Sequence, residues 1–137
     1  MIAAVIDCSA MVDMLWRGGA SAFFENEHLH STLLAAPHLI DPELVSAARR
    51  IAARQDDGFE TAFQLIVEYS HVPVTLFEHA NLRDFAWQVR DTISSYDAMY
   101  VALARDLRIP LITSDGRLAQ AASNWCEVTV LDELLQG

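Results

Sequence analysis

Four carboxylates, Asp7, Glu43, Asp97 and Asp115, each stand where a strand hands over to a helix or in a helix's first turn. Asp7 follows the apolar run Ile2-Ala3-Ala4-Val5-Ile6, and Asp115 follows Pro110-Leu111-Ile112-Thr113-Ser114. In a parallel sheet the C-terminal ends of the strands share one edge, and sites form along it. Carboxylates collected there repel one another and stay charged together only around a cation. Oxygen donors suit a hard divalent ion, Mg²⁺ or Mn²⁺, with no need for His or Cys. Ser9 and Thr113 lie two residues from Asp7 and Asp115, placed to orient those carboxylates or to hold a metal-bound water.

Each acid also has a simpler role. Asp7 can cap the helix after it, and Glu43 can complement a helix N-terminus. Asp97 can close a capping box with Ser94, and Asp115-Gly116 can form a turn. The combination argues for more. Asp97 opens an almost wholly apolar helix, and Asp7 closes an apolar strand expected at the sheet centre, where an unpaired charge is costly.

The elements that must position these acids follow from the pattern. After the first strand, a helix is expected from about Ser9 to Trp16, ended by Gly18-Gly19. Residues 20–35 read as one or two helices anchored by Phe23, Phe24, Leu33 and Leu34, and 36–40 as a short strand. Asp41-Pro42-Glu43 reads as N-cap, first position and first turn of the next helix. That helix buries Leu44, Val45, Ala47, Ala48 and Ile51 and turns Arg49, Arg50 and Arg54 outward. Asp57-Gly58 breaks the chain. Phe59 to Tyr69 returns as a helix with Phe63, Ile66 and Val67 inward. Val72 to Leu76 is a strand, and Glu78 to Arg90 an amphipathic helix. Ser94 to Leu107 is apolar nearly all round and therefore buried. Leu111 to Thr113 and Glu127 to Leu131 are the last strands. About five short strands alternating with helices imply a three-layer α/β/α sandwich with a central, mainly parallel sheet. Residues 1–137 are expected to form one domain.

Composition narrows the classes. No apolar run reaches the roughly 18 residues of a membrane helix, so no membrane association is expected. The start reads as a strand, not a signal peptide. Two cysteines, Cys8 and Cys126, without an export signal suit a reduced, cytoplasmic setting. The formal net charge is −10, and all nine basic residues are Arg, with no Lys. Such a chain repels a polyanion unless metal ions or a local Arg patch intervene, and by itself favours a basic partner.

Four segments together resemble the PIN domain, closest to the VapC-type toxins of toxin–antitoxin pairs. They are Val5-Ile6-Asp7-Cys8-Ser9-Ala10, Asp41-Pro42-Glu43-Leu44-Val45-Ser46-Ala47, Ser95-Tyr96-Asp97-Ala98-Met99-Tyr100-Val101-Ala102-Leu103-Ala104 and Leu111-Ile112-Thr113-Ser114-Asp115-Gly116-Arg117-Leu118. The resemblance spans essentially the whole chain. It implies a Mg²⁺-dependent endoribonuclease, with Mn²⁺ as substitute, in which Asp7, Glu43, Asp97 and Asp115 take the catalytic, metal-holding positions. Ser9 and Thr113 fall at its supporting hydroxyls. It also implies a homodimer held inactive by a cognate antitoxin, and cleavage of RNA to a 3′-hydroxyl and a 5′-phosphate. The chemistry is consistent: a divalent ion lowers the pKa of a bound water and neutralises phosphate charge in the transition state. Arg49, Arg50 and Arg117, with Arg54 and Arg17, are the candidates for phosphate contacts.

Rival readings are weaker. Aspartyl phosphatases need a second Asp where Ser9 stands and a Lys near the phosphate. Receiver domains need the Lys as well. A non-catalytic PIN-like module that binds metal or RNA is the alternative. Glu25 to His30 reads as a solvated helix end, and Trp16, Trp87 and Trp125 as core or dimer contacts.

Overall fold

The computed structural model describes residues 2–54 and 58–136. Five strands form one sheet: β1 (Ile2–Ile6), β2 (Thr32–Pro37), β3 (Val74–Phe77), β4 (Leu111–Thr113) and β5 (Val128–Val130). Their order is β3-β2-β1-β4-β5, and every pairing is parallel. Eight helices are described: α1 (Cys8–Gly18), α2 (Ala20–Glu25), α3 (Ile40–Arg54), α4 (Gly58–Tyr69), α5 (Arg83–Gln88), α6 (Ser95–Leu107), α7 (Gly116–Ala122) and α8 (Leu131–Gln136). The three-layer α/β/α sandwich expected from the alternation is the fold observed.

The chain builds the sheet outward from β1 in one direction, then crosses over and builds it in the other. The strand order therefore reverses between β1 and β4, where a crevice opens at the carboxyl edge. Val5 and Ile6 are fully buried, as a central strand requires. The apolar α6 is buried at Ala98, Tyr100, Val101, Ala102, Leu103 and Ala104. Its small residues let it lie close to the sheet. It ends at Arg108, whose φ of 57° is left-handed.

Several elements depart from expectation. The second strand is 32–37, not 36–40, and the helix after Gly19 stops at Glu25. Leu33 and Leu34 thus lie on a strand, one out and one in, and not on a helix. A short apolar run does not announce its period; pairing with β1 decided it. Asp41 is not the cap of α3, which begins at Ile40. Its carboxylate instead accepts from the Tyr69 hydroxyl at 2.6 Å. Only Arg83–Gln88 of the expected 78–90 helix is helical. On α4 the buried residues include Ala62 and Leu65, while Phe63 is 57% exposed. On α3, Val45 is likewise exposed. The three tryptophans are all exposed, so none is a core residue. The expected break at Asp57-Gly58 lies partly outside the described residues.

The α3–α4 packing explains why α4 presents its small side chains inward. A Cβ at Gly58 would stand 2.7 Å from the Ile51 carbonyl oxygen and 3.0 Å from the Ala52 Cα, both backbone atoms. At Gly116 an added Cβ meets nothing within 4 Å. Gly58→Ala should therefore cost about 1–3 kcal/mol in urea melts. Gly116→Ala should cost nothing, or stabilise by up to about 1 kcal/mol through the unfolded chain.

Candidate active site

The carboxyl edge at the β1–β4 crevice carries a cavity of about 790 Å³. Asp7, Glu43, Asp97 and Asp115 all line it. Four elements deliver them. Asp7 is the residue between β1 and α1, and Asp115 is the N-cap of α7 after β4. Glu43 lies in the first turn of α3, and Asp97 in the first turn of α6. Helices flanking a parallel sheet point their N-termini to the strands' carboxyl edge, so acids in first turns reach the same place as acids at strand ends.

The capping roles are present too. Asp7 Oδ1 accepts from the Ala10 backbone N–H at 2.8 Å. Asp115 Oδ1 accepts from the N–H groups of Arg117 and Leu118 at 2.9 and 3.2 Å. The Asp97 N–H donates to Ser94 Oγ at 3.2 Å, the expected half of a capping box.

Asp7 is the most constrained of the four, 3% exposed. The Ser9 hydroxyl donates to its Oδ1 at 2.7 Å, and the Thr113 hydroxyl donates to its Oδ2. Both hydroxyls thus serve Asp7. Thr113 reaches Asp115 only through the backbone, its Oγ1 accepting from the Asp115 N–H at 3.1 Å. The expectation that Thr113 orients the Asp115 carboxylate is corrected accordingly. Burial raises the Asp7 carboxyl above its usual value; the Thr113, Ala10 and Ser9 donors oppose this, and the Asp97 charge adds to it. Burial also raises Glu43, with the Tyr100 hydroxyl opposing it, the Asp97 and Asp7 charges adding to it, and Arg50 opposing it. Asp97 is raised by burial and by Asp115, against the Ser94 hydroxyl. Asp7, Glu43 and Asp97 therefore each feel the charge of a neighbouring acid.

Among the described residues, no three His, Cys, Asp or Glu side chains converge closely enough to form a ready-made ion cage. The acids ring the cavity without meeting at a point. Asp7 is locked, whereas Glu43 and Asp97 are partly exposed and Asp115 is exposed. The donor set nonetheless fits a hard cation. Among the described residues, no imidazole lines the cavity. Cys8 does, and burial, Glu43 and Asp7 push its thiol up to about 12 against Arg50, so in the metal-free protein it stays neutral at physiological pH.

Of the candidate arginines, only Arg50 lines the cavity. Arg49, Arg54 and Arg117 are exposed outside that lining. Arg17 is bound to Asp13 and Asp132. Asp13 is a further acid of the lining, and its Oδ2 accepts from Ser114 Oγ at 2.9 Å. Its place one and a half helical turns after Asp7 is the sequence signal for it. Tyr96, Tyr100 and Trp16 also line the cavity, and no spacing rule had singled them out.

The PIN domain profile matches residues 4–124. The chain belongs to the PIN domain family. Ribonuclease VapC1 of Mycobacterium tuberculosis is 36% identical over 128 residues, covering 93% of this chain and 96% of that protein. Ribonuclease VapC9 of the same organism is 34% identical over 93% of this chain and 97% of its own length. Within the PIN domains, the chain is thus of the VapC type. Two solved structures share the fold. PAE2754 from Pyrobaculum aerophilum superposes with a TM-score of 0.72 at 19% identity, covering 98% of this chain and 95% of that one. VapBC2 from Rickettsia felis, solved bound to a DNA fragment from its promoter, gives 0.66 at 12% identity, over 94% and 98%. No helix among the described residues is long and apolar enough to cross a membrane.

Proposed function

We propose that this chain is the toxin of a toxin–antitoxin pair and acts as a Mg²⁺- or Mn²⁺-dependent endoribonuclease. The observation that carries the reading is that Asp7, Glu43, Asp97 and Asp115, from four separate elements, line one cavity at the β1–β4 crevice. The VapC ribonucleases at up to 36% identity over 93% of the chain supply the activity class. The VapBC2 complex supports the kind of partner.

Asp7, Glu43, Asp97 and Asp115 would hold the ion. When bound, it supplies a polarised water as nucleophile and neutralising charge for the phosphate. The chain's residues do the rest. Ser9 and Thr113 fix the Asp7 carboxylate, so the ligand that is buried deepest needs no reorganisation. Arg50, the one cation of the lining among the described residues, would meet a phosphate oxygen. The remaining acids repel a free polyanion, so RNA approaches productively only after the cavity is neutralised. The same charge suits an inhibitory antitoxin segment with a basic side chain. A homodimer would pool two such edges along one groove. A cytoplasmic setting follows from the RNA substrate and the free thiols.

The test is direct. The purified, antitoxin-free chain should cut total RNA at discrete sites in Mg²⁺ or Mn²⁺. EDTA should abolish the cuts and excess Mg²⁺ restore them. Cleavage that survives EDTA would sink the metal-dependent reading. No cleavage in either metal would turn the assignment toward a non-catalytic binding module.

A further inference from the structure

Glu43 differs from its three neighbours in how it is held. Asp7 and Asp115 cap helices with their own carboxylates, and the Asp97 side chain stands beside the Ser94 cap hydroxyl. Glu43 has the longest side chain of the four and sits beside the charges of Asp7 and Asp97. A flexible carboxylate in that setting would swing toward water, away from like charge. One contact opposes this. The Tyr100 hydroxyl donates to Glu43 Oε1 at 2.6 Å, across 57 residues of sequence. Tyr100 is 1% exposed, so its ring is held in the core, and the residue lines the cavity. Among the described residues, none donates a hydrogen bond to Oε2.

Tyr100 lies on α6 three residues after Asp97. Side chains three apart on a helix share a face. The same turn of α6 thus delivers one acid to the cavity and the donor that steadies another from α3. We infer that Tyr100 is a positioning residue for the ion site: its phenol commits Glu43 Oε1 and leaves Oε2 as the oxygen that would be available to a cation. The inference rests on the metal-dependent reading above and adds a residue to it that is itself no ligand.

The experiment is a set of melting curves against Mn²⁺ concentration for the wild type, Tyr100→Phe, Glu43→Gln and the double variant. Phenylalanine keeps the buried ring, so Tyr100→Phe should fold, and its melting temperature in EDTA measures any structural cost separately. The wild type should gain stability as Mn²⁺ rises. Tyr100→Phe should need about 10–100-fold more Mn²⁺ for the same gain, the usual effect of losing a hydrogen-bond partner of a ligand. In the Glu43→Gln background, adding Tyr100→Phe should move the Mn²⁺ midpoint no further, because the phenol acts through Glu43. If Tyr100→Phe has the wild-type midpoint, or shifts it equally without Glu43, the positioning role is wrong while the metal site stands. Should Tyr100→Phe fail to fold, the Glu43→Gln variant alone decides: an unchanged midpoint there removes Glu43 and its lock from the site together. A wild type indifferent to Mn²⁺ overturns both the inference and the reading beneath it.

Discussion

Asp7→Asn is expected to lower RNA cleavage by more than about 100-fold while leaving the fold intact. Asparagine keeps the shape and the Oδ1 acceptor that caps α1 through the Ala10 N–H. What it removes is charge at the centre of four acids. Asp97→Asn should behave alike, and Asp106→Asn, an exposed acid far along α6, should cleave as the wild type does. In EDTA the direction reverses. The Asp7 carboxyl is raised in the folded protein, chiefly by burial, so its ionised form opposes folding near neutral pH. Asp7→Asn should then melt at or above the wild-type temperature without metal. That advantage should be largest at neutral pH. It should shrink as the pH falls below the raised value, where the folded wild-type carboxyl takes up its proton, and be gone below the ordinary carboxylate value, where the unfolded chain is protonated too. Saturating Mn²⁺, at about 100 times its dissociation constant, should stabilise the wild type by about 2.7 kcal/mol and the variant by much less. A variant that cleaves normally, or that gains as much from Mn²⁺, would remove Asp7 from the site.

Thr113→Val should damage both stability and activity, because one hydroxyl does two jobs. Thr113 is fully buried at the end of β4. Its Oγ1 donates to Asp7 Oδ2 and accepts from the Asp115 N–H at 3.1 Å. Valine matches its shape and leaves both partners short. Stranding a buried carboxylate oxygen and a backbone N–H costs on the order of 1–3 kcal/mol each. A total loss of about 2–6 kcal/mol in urea melts is expected on that basis. Cleavage should fall about 10–100-fold, since the Asp7 carboxylate is then free to turn. Ser9→Ala should be milder. Ser9 is only partly buried, and Thr113 still holds the other Asp7 oxygen. Equal effects from the two variants would contradict the picture of Thr113 as the principal anchor.

The parts of the fold legible in the sequence were those with a strong local cause. An apolar run ending in Asp gave away the central strand, and an all-round apolar segment gave away the buried helix. Where the local signal was short or two-sided, tertiary contacts decided. The second strand lies at 32–37 because it pairs with β1 there, although its Leu-Leu-Ala-Ala stretch suits a helix equally well. The face of α4 is set by the close approach at Gly58, so Phe63 turns outward despite its size.

The site divides in the same way. Residue type and position relative to strand ends were enough to nominate Asp7, Glu43, Asp97 and Asp115, because the geometry of any parallel sheet brings strand ends and helix starts to one edge. Ser9 and Thr113 followed from their nearness in sequence to those acids. Sequence could not say that both hydroxyls serve Asp7, that Arg50 alone of the arginines lines the cavity, or that Tyr100 reaches Glu43. Those facts depend on which helix face turns inward and on contacts between residues far apart in sequence, 106 positions for Thr113 and Asp7 and 57 for Tyr100 and Glu43. Only the packed chain sets such distances, because a side chain's direction is fixed by what it is packed against and not by its neighbours in sequence.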